Sequence, residues 1–417
     1  MAIDERSSSG VRQDAHRVTP SEPPTQRQPG SQPSSRPAST GRLKALDGLR
    51  GVAALVVVLH HTMLVTGTFP ASMPTDFAGG SLEWWLSFSP LKVLTAGWES
   101  VMVFFVLSGL VVSLPVLKNK GFDWVAYYPR RVVRLLVPVM GSVLVAALWV
   151  MAIPQVSKQA SGTWLSSSST PNFSWEYIVK GMDLFGGDGQ INNPVWSLRW
   201  ELLFSLLLPL FVIGATVIRK WWLAGLAGCV FLTWLGLHSQ ADSLTYLPVF
   251  FIGAMIAVGI DDVRRFTDRV NRLALRNLIW LGFLLAGSML LVVSWFTGPL
   301  PKDLTEITTI LRALTPLAAG MLVVGCLGWP ALGALLSMRP FQFVGKISFS
   351  LYLTHVPVII FSHYLFGGYP LIYGQLFGIA VSLMVAVAFW WVFERHSHGW
   401  SKRAGVWASE RFRSILA

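Results

Sequence analysis

With 417 residues, 53% of them apolar and only 13% charged, the chain lies far below the roughly 25% charged content of a soluble domain and is excluded from that class. The formal charge of +12 does not indicate nucleic acid, because the basic residues sit in short connections between apolar runs, where they act as a topology signal. Cys229 and Cys326 both lie inside apolar runs, so they offer neither a disulfide framework nor metal-ligand spacing, and no metal is implied.

Residues 1–41 are rich in Ser, Pro, Gln and Arg. Such a segment buries too little apolar surface to offset its ordering entropy and reads as a disordered cytoplasmic tail. No apolar segment follows the start closely enough to be a signal peptide. Residues 42–395 read as a membrane domain and 396–417 as a short basic cytoplasmic tail. A span needs about 20 apolar residues. Ten stretches qualify: about 46–66, 96–117, 132–153, 193–217, 221–237, 244–260, 277–297, 308–329, 347–366 and 371–394. The predicted fold class is an all-α, polytopic bundle of about ten transmembrane helices around a central polar cavity.

Lys and Arg set the predicted orientation. With the N-terminus inside, the exterior loops, about 67–95 and 154–192 being the largest, hold only Lys92, Lys158, Lys180 and Lys302 of the 33 basic residues. Arg50, Arg199 and Arg312 fall within or at the ends of spans, and the remaining 26 lie inside. The protein is therefore expected in the inner (plasma) membrane, multi-pass, with both termini cytoplasmic.

In the first span, "LDGLRGVAALVVVLHH" (46–61) carries Arg50 and His61 eleven residues apart. At 3.6 residues per turn they fall within about 20° of one another, some 16 Å apart along the axis, while His60 turns about 80° aside. A cation at the mouth and an imidazole near the midplane on one stripe require a polar cavity. In the second span, Ser108 and Gly109 of "VMVFFVLSGL" read as a close-packing notch, and Glu99 before them as a solvated outer residue. The third span begins "YYPRRVVRLLVP". Arg131 and Arg134 share one face there, and Arg is suited to bidentate contact with phosphate.

The fourth span holds "WSLRWELLF" (196–204), with Trp196 as an interface aromatic. Arg199 and Glu201 diverge by about 200° on a helix, so each needs a partner elsewhere. The ninth span, "VGKISFSLYLTHVPV" (344–358), brings Tyr352 and His355 toward the midplane, with Pro357 expected to kink the helix and free a carbonyl for the cavity wall.

Together the Arg50–x10–His61 pattern, "FFVLSG" at 104–109, Arg131-x-x-Arg134, "WSLRWELLF" and "SFSLYLTH" at 348–355 resemble the acyltransferase 3 family of integral membrane acyltransferases, over roughly 44–395. The resemblance implies a ten-helix bundle that transfers an acyl group, often acetyl, from cytoplasmic acyl-CoA to a hydroxyl of an envelope glycan, a glycolipid or a small metabolite. It carries the Arg–x10–His pair directly onto Arg50 and His61. Two departures stand out. Met102 occupies the position before the "FF" motif where many members carry an acidic residue, and the SGNH-type hydrolase domain that some members carry after an added span is not expected here.

The expected scheme has acyl-CoA (acetyl-CoA) as donor substrate rather than a resident cofactor, its phosphates held by Arg50, Arg131 and Arg134. His61 would act as general base or as covalent acyl carrier, with Glu201 and His355 orienting it or binding the acceptor. Trp196, Arg199 and Tyr352 would contact the substrate. The partners expected are acyl-CoA, an envelope glycan or glycolipid and the lipid bilayer, and no nucleic acid. A transporter of a polar or acylated small molecule is the rival class. An acyltransferase acting on a cytoplasmic metabolite such as an antibiotic sugar is the alternative within the enzyme class.

Overall fold

The structure is a computed structural model that describes residues 38–66, 79–119, 121–153, 155, 164–170, 174–185, 191–299, 305–367 and 369–416. The expected N-terminal tail lies outside these up to residue 37, and helix begins at Ala38 instead of after 41. The regular structure of the described residues is helical, in the order α1 Ala38–Leu64, α2 Leu82–Phe88, α3 Gly97–Lys118, α4 Trp124–Ala152, α5 Trp164–Ser168, α6 Trp175–Met182, α7 Val195–Leu206, α8 Leu208–Ile218, α9 Trp222–Ser239, α10 Asp242–Val258, α11 Ile260–Asn271, α12 Arg276–Val292, α13 Thr305–Arg312, α14 Thr315–Gly328, α15 Pro330–Leu336, α16 Arg339–Leu365, α17 Leu371–Phe389 and α18 Arg395–Leu416. Short 3₁₀ turns at Pro90–Thr95 and Val293–Thr297 and a π-helical turn at Trp390–Glu394 complete the set used below.

Among the described residues, eight helical runs are long and apolar enough to cross a membrane, and a ninth arises if α10 and α11, bent by 72°, count as one span. The ten stretches expected from hydropathy differ from this in identifiable places. The stretch expected as 193–217 divides at Leu207, leaving α7 only 12 residues long. The cause is Pro209, which cannot donate to the carbonyl four residues earlier. That carbonyl, of Ser205, accepts the Tyr127 hydroxyl at 3.1 Å instead. Beyond it, α8 and α9 form one 32-residue apolar run. Pro357 acts in the same way without breaking its helix. α16 continues from 339 to 365, and the freed Leu353 carbonyl accepts from the Asn192 amide at 3.0 Å.

Large apolar side chains such as Leu148, Met151, Leu210, Val217, Leu223 and Met384 face outward, as a lipid-facing belt requires. Inside, small residues let helices touch backbone to backbone. α3 crosses α10 where Gly109 meets Phe250 and Gly253 meets Val106, and a Cβ on either glycine would collide with the opposing backbone. The notch expected at 108–109 is thus Gly109 alone. Ser108 instead lines a cavity and donates to Glu201 Oε1 at 3.2 Å. α4 pairs with α18: Asp123 caps α4 at the Ala126 N–H (2.9 Å) and accepts the Ser409 hydroxyl of α18 (2.6 Å).

Candidate active site

The site begins with the register between α1 and α16. Gly51 packs on Gly345, and Gly345 in turn on the Asp47 backbone, so closely that a Cβ at either glycine would clash. Ten residues further along each helix stand His61 and His355. Two helices in contact at one level and rising equally meet again at the next, so they run parallel here. The imidazole centroids are 4.9 Å apart, and His61 Nδ1 lies 3.2 Å from His355 Nε2.

Backbone carbonyls fix the tautomers of both rings. His61 Nδ1 lies 2.9 Å from the Val57 carbonyl, and His355 Nδ1 lies 3.0 Å from that of Leu351. A carbonyl only accepts, so each neutral ring carries its proton on Nδ1 and presents a lone pair at Nε2. His355 Nε2 faces the His61 Nδ1–H, whose donation divides between it and Val57. His61 Nε2 is left with an uncommitted lone pair. His355 is fully buried while His61 is partly exposed. Of the two, His61 is therefore the accessible ring, and His355 packs against it from the buried side. The ring of Trp164 on α5 packs against His61 at 5.2 Å. His60 turns away, as its helical angle predicts, and donates from Nδ1 to the Thr95 carbonyl at 2.9 Å.

A cavity with an open mouth lies beside this pair, lined by Tyr352 and by neither imidazole. α1 contributes Arg50, α4 contributes Arg131 and Arg134, and α16 contributes Lys346 and Tyr352. Four cations against the two carboxylates Glu201 and Glu394 make it an anion-attracting funnel. Tyr352 connects the cavity to the histidines. It lines the cavity, its hydroxyl pairs with Ser197 Oγ at 2.7 Å, and its ring lies 6.0 Å from that of His355 and 5.7 Å from Phe104.

Several expected placements are corrected. Glu201 does not contact either histidine. Its carboxylate accepts from Arg131 at 2.8 Å and from Ser108 at 3.2 Å, the nearest cation being on α4. Arg131 is accordingly held, with its Nε also donating to Ser205 Oγ at 2.9 Å, whereas Arg134 is exposed to the cavity. Arg199 points away from the cavity and lies exposed over the Trp200 ring, its guanidinium 5.4 Å from the centroid. Trp196 packs on Tyr246 at 5.1 Å and is absent from the cavity wall. Glu99 is not solvated but 2% exposed.

Two positions at or beside the site escaped the sequence reading. Glu394, on the π-helical turn after α17, is buried in the cavity wall and accepts from Ser350 Oγ at 2.5 Å. π-turns recur at functional sites because the extra residue re-aims a side chain. A lone carboxylate ending the apolar run "FWWVFERH" was the available signal. The other is Asn192, which ties α4 to α16 by donating to Ser142 Oγ and the Leu353 carbonyl, each at 3.0 Å.

Fold and site define a polytopic membrane protein in which a cationic cavity lies beside a pair of histidines in contact. Residues 43–395 match the model of the acyltransferase 3 family, described as an acyltransferase domain, and the chain belongs to that family. It is 25% identical over 346 residues to "Putative peptidoglycan O-acetyltransferase YrhL" of Bacillus subtilis, covering 77% of this chain and 49% of that one. It is 26% identical over 353 residues to "Acyltransferase MdmB" of Streptomyces mycarofaciens, covering 80% and 83%. It is 24% identical over 388 residues to "O-acetyltransferase OatA" of Staphylococcus aureus, covering 82% and 55%. The chain thus spans about half the length of YrhL and OatA. No solved structure matches.

Proposed function

We propose that the protein is a membrane O-acyltransferase that moves an acyl group, acetyl foremost, from cytoplasmic acyl-CoA to a hydroxyl of a cell-envelope glycan or glycolipid. The observation that carries this reading is the uncommitted Nε2 lone pair of His61 beyond an anion-attracting cavity. The names of YrhL and OatA as O-acetyltransferases support the acetyl group, and that of YrhL supports a peptidoglycan acceptor. The basic-residue asymmetry supports cytoplasmic termini, with the 154–192 loop outside.

In this scheme Arg50, Arg134 and Lys346 bind the donor's phosphates at the cavity mouth, and Arg131 completes the set while Glu201 and Ser205 hold its guanidinium. Glu394 balances part of this charge at the wall. The thin pantetheine arm runs past Tyr352 and Phe104 and delivers the thioester toward His61. His61 Nε2 takes the proton of the acceptor hydroxyl as its oxygen attacks the thioester carbonyl. The C–S bond breaks, CoA leaves as thiolate, and the proton passes from the imidazolium to it. His355 Nε2 accepts from His61 Nδ1–H and steadies the imidazolium.

The same lone pair could attack first and form an acyl-imidazole. A burst of CoA release stoichiometric with enzyme, without acceptor, marks that version, and its absence marks the general base. The test of the function is transfer of label from [¹⁴C]acetyl-CoA to envelope material by purified protein, followed by mass analysis of the acceptor.

A further inference from the structure

Of the two carboxylates in the cavity wall, Glu201 is committed to Arg131 at 2.8 Å. Glu394 is not. It is 8% exposed, Arg50 and Arg134 are its charged neighbours, and among the described residues no ion pair closes on it. Its Oε2 accepts from Ser350 Oγ at 2.5 Å. A carboxylate has about four lone-pair sites, so accepting capacity remains toward the cavity that Glu394 lines. A carboxylate withdrawn from water without a cation is costly until donors are supplied.

The level of this carboxylate in the bundle is definite. α1 and α16 run in register, from Gly51 on Gly345 to His61 beside His355. At 1.5 Å per residue, Arg50 stands about 16 Å before His61 and Lys346 about 13.5 Å before His355. Ser350, and with it the Glu394 carboxylate, stands only about 7.5 Å before His355. Along the helices the cations come first, the carboxylate second and the imidazoles last.

An acyl-CoA presents matching groups in the same order. Its phosphates are followed by an uncharged pantetheine arm with two amide N–H donors, and the thioester ends the arm. By standard bond lengths, the two amide nitrogens of an extended arm lie roughly 4 and 9 Å from the sulfur. The outer amide thus falls within one helical turn of the Glu394 level when the thioester is level with the histidines. A phosphate there would meet its own sign, whereas an amide N–H completes the carboxylate with a charge-assisted hydrogen bond.

We infer that Glu394 is a specificity-determining residue of the donor site, its carboxylate accepting from the outer amide N–H of the pantetheine arm. This rests on the reading of acyl-CoA as donor. Ser350 anchors the carboxylate, and the π-helical turn Trp390–Glu394 carries it into the cavity wall.

The test uses full-length protein in nanodiscs and two donors, acetyl-CoA and its analogue with an ester oxygen in place of the outer amide N–H, with binding measured by calorimetry. The wild type binds the analogue about 10-fold or more weaker, the loss of one charge-assisted hydrogen bond. Glu394→Met binds acetyl-CoA weaker by a similar factor and no longer separates the two donors. Glu394→Gln, which keeps an acceptor without the charge, falls between. Adenosine 3′,5′-bisphosphate, which lacks the arm, binds Glu394→Met at least as tightly as the wild type. A carboxylate that only offsets the arginines gives the opposite sign, since its removal tightens acetyl-CoA along with the bisphosphate. Should Glu394→Met fail to fold, the amide–ester comparison in the wild type and in Glu394→Gln decides. Equal binding of the two donors by the wild type, an undiminished amide preference in the variants, or tighter acetyl-CoA binding by Glu394→Met overturns the assignment. Absence of acetyl-CoA binding by the wild type is a separate result that overturns the donor reading, and this assignment with it.

Discussion

His61 and His355 are 294 positions apart in sequence, yet His61 Nδ1 and His355 Nε2 lie 3.2 Å from one another. The contact is set by Gly51 and Gly345, ten residues earlier on each helix. In the proposed mechanism His355 reaches substrate only through His61. His355→Asn should therefore lower kcat by about 10-fold, the equivalent of 1.4 kcal/mol, with the donor KM unchanged. It should also shift the pH profile of kcat. His60→Ala should keep most of its activity, because its ring bonds to the Thr95 carbonyl. Steady-state kinetics of the two variants check both statements.

The two arginines of α4 should separate. Arg134 is exposed to the cavity, so Arg134→Ala should raise the donor KM by roughly 10- to 100-fold, in line with one lost contact of about 1.5–3 kcal/mol, at unchanged melting temperature. Arg131 is paired with Glu201 at 2.8 Å, with side chains 15% and 22% exposed. Removing one partner of such a pair leaves the other charge uncompensated, so Arg131→Ala should weaken donor binding and also lower the melting temperature. Arg131→Ala combined with Glu201→Gln should recover part of that stability. Thermal melts of the single and double variants decide it.

Asn192→Leu should destabilise by about 1–3 kcal/mol, the cost of leaving a buried acceptor unmade. The acceptor is the Leu353 carbonyl that Pro357 frees. Adding Pro357→Ala restores an N–H for that carbonyl and should reduce the cost, which denaturant titration in detergent can measure.

Lys92 supplies a pH dependence with a definite sign. Its burial lowers the folded-state value to about 8, against about 10.4 in the unfolded chain. Between these values the unfolded state binds more protons, so stability rises with pH, by at most about 1.4 kcal/mol per unit. Below about pH 8 both states carry the proton and the dependence vanishes. The melting-temperature difference between wild type and Lys92→Met should therefore change between pH 8 and 10 and stay flat from pH 6 to 7.5.

Features confined to one helix were legible in the sequence. The angle between Arg50 and His61 follows from helical geometry, and the aside-turned His60 follows with it. The lipid-facing spans were legible as apolar runs, except where Pro209 divides one of them. Partner choice across helices was not legible. Nothing in "WSLRWELLF" says that Glu201 will meet Arg131 of α4, or that Arg199 will lie over Trp200. Lys92 and Glu99 read as outer-loop charge because their burial depends on Trp295, nearly 200 residues away. Glu394 was hidden at the edge of an apolar run, where a π-turn decides which way it faces.

The measurement that bears most directly on this account is acetyl transfer by purified His61→Gln. Glutamine keeps the polarity and approximate size of the imidazole but cannot take up a proton near neutral pH. A general base contributes about 10²- to 10⁴-fold. The account predicts a loss of at least that size, with CoA binding and melting temperature unchanged. Near-normal turnover by His61→Gln would contradict it, for the general base and the acyl-imidazole alike.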